Sequence, residues 1–197
     1  DTDGFDLLAL LTGSEGLLGI VTEVTVKLLP IPDKAQLVVA AFADVRDAAD
    51  AVSAVISNGI VPAGLEMMDS HIIAATEDYC QPGYPRDAKA LLLCELDGSN
   101  SEVEETIGKV VQVFRDYRAT STTVSQSEAQ RAQLWKGRKS AFPAVGRISP
   151  DYYCMDGTIP RSQLAYVLDE MEQLSQHYGL RIANVFHAGD GNLHPLI

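Results

Sequence analysis

The chain has 197 residues, enough for one domain with a substantial core plus part of another, and its composition of 46% hydrophobic and 21% charged residues is that of a water-soluble globular protein. A formal net charge of −12 excludes a nucleic-acid backbone or an anionic membrane surface as the principal partner, while leaving room for a small anionic substrate that responds to the local field. No apolar stretch approaches the roughly 20 residues of a transmembrane span, and three cysteines (Cys80, Cys94, Cys154) without metal-type spacing point to a reducing, cytoplasmic setting.

In chain order, residues 1–32 read as a unit of their own. Phe5 to Leu11 is apolar, Thr12-Gly13-Ser14-Glu15-Gly16 is a glycine-rich break, and Ile20 to Leu29 alternates in the manner of a strand with Val21, Thr22, Val24, Thr25 and Val26 as β-branched members. Pro30-Ile31-Pro32 then marks a boundary. Gln36–Phe42 and Lys89–Leu96 are β-like. Three amphipathic stripes predict core-facing helices: Ala48, Val52, Val55 and Ile56; Val103, Ile107, Val110, Val111 and Phe114; and Leu164, Val167, Leu168, Met171 and Leu174 after Pro160. A further helix is expected over Ser127–Ala141, a loop at Gln81–Pro85, and a turn at Asp97–Asn100. Arg181–Phe186 reads as a strand, and another begins at Leu193. The abrupt beginning at Asp1-Thr2-Asp3-Gly4-Phe5 and the end at Leu196-Ile197, inside an apolar run, lead us to expect a piece of a longer polypeptide. The alternation implies an α+β fold, a mostly antiparallel sheet with helices packed on one face.

Three segments carry chemistry. The most specific is His187-Ala-Gly-Asp-Gly-Asn-Leu-His194, two imidazoles flanking a Gly-Asp-Gly turn between two strands, which can face one point as a metal requires. Two histidines do not complete such a site, so a further ligand must lie elsewhere; polar turn residues are the bland alternative. The second, Leu134-Trp135-Lys136-Gly137-Arg138-Lys139, is a cationic cluster beside the single tryptophan. Arginine offers a planar fork that grips a carboxylate at two points, although the cluster also reads as a solvated basic face. The third, Gly13-Ser14-Glu15-Gly16-Leu17-Leu18-Gly19-Ile20-Val21-Thr22, spaces three glycines by three, so that backbone N–H groups can close on an anionic or planar ligand. It has neither the P-loop lysine nor the Rossmann spacing, and on physical grounds alone it reads first as a structural turn. Asp156, in Cys154-Met155-Asp156-Gly157, is explained by turn formation at a strand end.

Together these segments resemble the FAD-linked oxidase family of vanillyl-alcohol-oxidase type, closest to its glycolate-oxidising members. The matching stretches are Gly13–Thr22 with the following Glu-Val-Thr-Val-Lys-Leu-Leu-Pro, Leu134–Arg138 with Phe142-Pro143, and His187–His194. The resemblance implies that residues 1–32 are the last segment of an FAD-binding domain. Gly13, Ser14, Gly16, Gly19, Ile20 and Val21 would line the flavin. Residues 33–197 would be a truncated substrate or cap domain with ferredoxin-like elements. It further implies that Arg138 holds a substrate carboxylate and that His187 and His194 bind a divalent metal such as zinc. The third ligand, a glutamate in a Glu-His-Gly segment, and the histidine base beside it would lie beyond Ile197. Dicarboxylate-handling relatives have polar groups where this chain has Phe142, Cys154 and Leu196, which favours a small acid, because a second carboxylate would be left without partners. The implied reaction is FAD-dependent oxidation of a small 2-hydroxy acid, glycolate favoured, with D-lactate as the alternative. An iron–sulfur electron-transfer subunit as partner and loose peripheral association with the cytoplasmic membrane are also implied. As an isolated chain, a flavin-free non-catalytic α+β module is the competing expectation, and a metallohydrolase a weaker one.

Overall fold

The computed structural model describes residues 4–197; the first three residues of the predicted N-terminal segment lie outside them. The chain divides into two units, Asp1–Ile31 and Pro32–Ile197.

The second unit is built on one seven-stranded sheet in the order β4-β1-β3-β2-β6-β7-β5. Its strands are β1 (Lys34–Phe42), β2 (Gly64–Asp69), β3 (Ala90–Gly98), β4 (Ser121–Val124), β5 (Gly157–Thr158), β6 (Ala183–His187) and β7 (Asn192–Leu196). Every neighbouring pair is antiparallel. The β4-β1-β3-β2 portion, with helices α2 (Val45–Ser57) and α4 (Asn100–Asp116) crossing one face, is the ferredoxin-like split-βαβ arrangement. The α+β class and the antiparallel sheet agree with the sequence reading.

The helical layer differs from it. Val38, Ala40, Phe42, Leu65, Met67, Leu92 and Phe186 pack on one face with α2, α4 and α7 (Leu164–Tyr178). Leu37, Val39, Ala41, Met68, Leu91, Leu93 and Val185 pack on the other with α3 (Ser70–Cys80), α5 (Glu128–Lys139) and α6 (Ala141–Val145). Helices therefore cover both faces rather than one. The physical reason is visible in β1, where Leu37 to Phe42 are all buried. A strand buried on both sides loses the apolar–polar alternation of a half-solvated one.

Local chemistry fixes the helix ends. Asp44 accepts the Arg46 N–H at 2.8 Å to cap α2, and Ser99 with Glu102 forms a capping box on α4. Asp69 ends β2 and caps α3, accepting the Ile72 N–H at 3.0 Å through one oxygen and the Asn184 N–H at 2.6 Å through the other. That one buried carboxylate ties the start of α3 to β6. The stretch from Gly64 to Cys80 gives no clear element in sequence, because Leu65-Glu66-Met67-Met68 lacks β-branched residues and carries no strand signal.

The first unit has one short helix, α1 (Leu7–Leu11), capped by Asp6, none of whose residues is buried. The expected strand over Ile20–Leu29 does not form. A strand needs a neighbour for its N–H and C=O groups, and the described residues of this unit supply none. Ile20, Val24 and Leu28 are correspondingly exposed, at 91%, 71% and 85%.

Candidate active site

The basic cluster lies on α5, whose N-terminus is capped by Ser127, with the Gln130 N–H donating to its Oγ at 3.2 Å. Lys136, Arg138 and Lys139 fall in the last turn, where positive charge complements the helix dipole. The helix is seated by Tyr84. A Cβ on Gly137 would stand 2.4 Å from the Tyr84 ring, so only glycine permits this approach. The Tyr84 hydroxyl donates to the Leu134 carbonyl, and burial holds this phenol above its ordinary range. Glu77 in turn accepts the N–H groups of Gly83 (2.7 Å) and Tyr84 (2.6 Å), fixing the loop that carries the ring.

This seating turns Arg138 inward, while Lys139 stays in solvent. Arg138 is 8% exposed and meets Glu66 of β2, which is 7% exposed. Arg138 Nε donates to Glu66 Oε2 at 2.9 Å, and Nη2 lies 2.7 Å from the same oxygen in an ion pair. The other oxygen, Oε1, lies 2.8 Å from Nδ1 of His187. The sheet explains the meeting: Met67 pairs with Phe186 and Met68 with Val185, and one step further along that register sets Glu66 across from His187.

The second histidine arrives through the β6–β7 hairpin. His187 pairs with Asn192 and Val185 with His194, so both imidazoles occupy the same face, with ring centroids 5.1 Å apart and planes at 88°. Nδ1 of His194 lies 2.9 Å from Oδ1 of Asp156, and Phe142 of α6 stands against the same ring at 6.4 Å. The hairpin glycines shape the chain itself. Gly191 has φ 79°, and a Cβ there would stand 2.1 Å from the Ile159 carbonyl oxygen. A cleft of about 480 Å³ opens beside His187 and Glu66, lined further by Leu65, Gly189, Arg161 and Asp190.

The structure thus brings Arg138, His187 and His194 to one face of the sheet. Sequence reasoning missed Glu66, whose only signal was a lone acid in the apolar run Leu65–Met68. It gave Asp156 a turn role, whereas its carboxylate engages His194. Cys154 forms an isolated bridge with Leu196, which is buried at 2%.

Fit to a metal is partial. Among the described residues no group of three or more His, Cys, Asp or Glu is placed to hold an ion. The two imidazoles, each with Nδ1 engaged by a carboxylate and Nε2 left over, are a half-site of the nitrogen type that zinc-like cations take. Asn192, the strand partner of His187, adds a buried Oδ1 with no hydrogen-bond partner. Gly13, Ser14, Gly16, Gly19, Ile20 and Val21 all lie in the first unit. Gly13 and Gly16 have φ of 80° and 81°, and nothing lies within 4 Å of where a Cβ would stand on either. The backbone there is open to close approach, but within its unit it forms no cradle. Among the described residues no helix is long and apolar enough to cross a membrane, and the three cysteines are free thiols.

Comparison with known proteins follows the same lines. The family described as FAD linked oxidases, C-terminal domain, matches residues 31–197. The glycolate oxidase subunit GlcD of Escherichia coli (strain K12) is 60% identical over 197 residues, which are 100% of this chain and 40% of that protein. The mitochondrial D-lactate dehydrogenase [cytochrome] of Arabidopsis thaliana is 31% identical over 196 residues, 98% of this chain and 34% of its own length. The chain therefore spans about two fifths or less of these relatives. Among solved structures, alkyldihydroxyacetonephosphate synthase superposes with a TM-score of 0.69 at 16% identity, covering 100% of this chain and 42% of that one. That likeness is one of fold.

Proposed function

The chain belongs to the family of FAD linked oxidases, C-terminal domain, and from that premise we propose that it is part of an FAD-dependent oxidoreductase that converts a small 2-hydroxy acid, glycolate first, to the 2-oxo acid. In this reading residues 1–32 close an FAD-binding domain and residues 33–197 form the substrate domain. The observation that carries it is the meeting of Arg138 and His187 on Glu66, with His194 beside His187 on the same face of the sheet and a cleft of about 480 Å³ bordered by Glu66 and His187.

Each residue has a role. Arg138 engages Glu66 through its Nε and Nη2 side, which leaves Nη1 to grip a substrate carboxylate. His187 and His194 hold a divalent cation through Nε2, with the remaining ligand outside this chain. That cation, when bound, supplies an electrophile for the substrate oxygens. FAD, when bound along Gly13–Val21 in the full-length protein, supplies the hydride acceptor. Fixing the carboxylate and the hydroxyl end together orients the Cα–H for transfer, which is where positioning contributes most to rate. Phe142 presents an apolar wall to His194, which suits an acid with no second carboxylate.

The 60% identity to a glycolate oxidase subunit supports glycolate, and the 31% identity to a D-lactate dehydrogenase keeps D-lactate as the second reading. The two acids differ by one methyl group, worth about 1–3 kcal/mol of discrimination. The relative is named as a subunit, which supports a multi-subunit assembly. We extend this to an iron–sulfur electron-transfer partner at the cytoplasmic side of the membrane. Turnover of glycolate, D-lactate and 2-hydroxyglutarate by the full-length protein, with an artificial electron acceptor, tests the proposal. Glycolate should give the highest kcat/KM and 2-hydroxyglutarate a value at least about 100-fold lower. Equal use of 2-hydroxyglutarate, or no turnover of any of the three, would overturn it.

A further inference from the structure

We propose that Glu66 and Asp156 are paired positioning residues that lock both imidazoles into the tautomer with the proton on Nδ1, so that the two Nε2 lone pairs face outward as ligands. The inference rests on the reading of His187 and His194 as a metal-holding pair, and deepens it by assigning what prepares them.

Each ring has a carboxylate oxygen beside Nδ1, as a hydrogen bond for His187 and as an ion-pair contact for His194. Glu66 Oε1 lies 2.8 Å from Nδ1 of His187, and Asp156 Oδ1 lies 2.9 Å from Nδ1 of His194. An ionised carboxylate can only accept a hydrogen bond. Each contact therefore requires a proton on Nδ1 and leaves Nε2 of the neutral ring as the acceptor. A neutral imidazole offers one nitrogen to a cation, and the partner of the other nitrogen decides which.

The two carboxylates differ in how they are held. Glu66 has no freedom: it sits in the middle of the sheet between β3 and β6, and its Oε2 is held by Arg138. Its two oxygens are divided, Oε2 to the Nε hydrogen bond and Nη2 ion pair of the arginine and Oε1 to the histidine. The carboxyl group thus sets the substrate-gripping guanidinium and one ligand ring in a single arrangement. Asp156 is exposed at 72% on its side chain, while His194 is 15% exposed. It acts as an outer latch that can be altered without touching the core.

The isosteric change Glu66→Gln separates this role from packing. The Gln carbonyl would keep the stronger partner, the charged Arg138, and its amide would then donate to Nδ1 of His187. The ring would be driven to the opposite tautomer, with Nε2 protonated and unable to ligate. Asp156→Asn, at an exposed side chain outside the core, provides a second test. Two readouts on the full-length protein decide: the imidazole tautomers by long-range ¹H–¹⁵N correlation at a pH where both rings are neutral, and zinc affinity by competition with a chromophoric chelator.

In the wild type both rings should carry the proton on Nδ1. Glu66→Gln should invert His187 alone, and Asp156→Asn should release His194 alone. Each change should weaken zinc binding by about 10–100-fold. A wild-type His187 protonated on Nε2, or zinc affinity unchanged in both variants, would overturn the inference while leaving the functional reading in place. A wild type that takes up no zinc would instead remove the metal from the functional reading and, with it, the role of both carboxylates.

Discussion

Gly137 and Asp69 show how single residues position the site without touching a ligand. Adding one methyl at Gly137 forces the Tyr84 ring from its place, since the clash distance is 2.4 Å and the ring is 4% exposed. Gly137→Ala should therefore lower stability by about 1–3 kcal/mol, the usual cost of overpacking, readable in denaturant melts; an unchanged midpoint would contradict the packing described. Asp69 carries a pH dependence. Burial outweighs its two backbone hydrogen bonds and raises its carboxyl from the usual range to about 6. Between its ordinary value and about pH 6 the folded protein binds more protons than the unfolded chain, so this residue's contribution is full at low pH and is lost as pH rises through about 6. Wild type should gain stability relative to Asp69→Asn as pH falls from 7 to 5, and a constant difference would refute this. At this scale Arg138, His187 and His194 were legible because their residue types are uncommon in such local contexts. Glu66 was not, because a lone acid in Leu65–Met68, a run without a strand signal, has nothing in sequence to mark it as buried.

Among the elements, the β6–β7 hairpin does most to build the site, because its register places His187 and His194 on one face. Its turn depends on Gly191, which combines left-handed backbone with contact to the Ile159 carbonyl. Gly191→Ala should break the Ile159–Gly191 backbone hydrogen bond of 3.0 Å and separate the two rings. Loss of zinc uptake in a protein that still melts cooperatively is the expected result; retained uptake would show that the turn is not needed. Helix α4 offers a calibration away from the site: removing the capping-box hydroxyl by Ser99→Ala should cost about 1 kcal/mol. The helices with clean stripes, α2, α4 and α7, were legible from periodicity, as were β1 and β3. Of the helices on the other face, α5 was expected from sequence, whereas α3 and α6 were hidden for a different reason. Helix α3 follows a strand without β-branched residues, and α6 is only five residues long. Neither gives a periodic signal strong enough to place it.

At the scale of the whole molecule, the Pro32–Ile197 unit has two cores, one on each side of its sheet, whereas α1 in the Asp1–Ile31 unit has no buried residue. A strand-like sequence without a neighbouring strand has nothing to pair with, which is why Ile20–Leu29 could be read as a strand and yet is not one here. The isolated 197-residue chain should accordingly leave gel filtration without flavin, and a yellow preparation would contradict that. The central claim, that the face carrying Arg138 is where the hydroxy acid is held, is tested most directly by anaerobic reduction of the flavin in the full-length protein on mixing with glycolate. Arg138→Lys keeps a positive charge beside Glu66 but loses the planar fork, and should slow reduction by at least about 100-fold, or roughly 3 kcal/mol. Lys139→Ala, one residue along but in solvent, should stay within about twofold of wild type. Wild-type reduction in the Arg138→Lys protein, or equal losses in both variants at unchanged flavin content, would contradict the account.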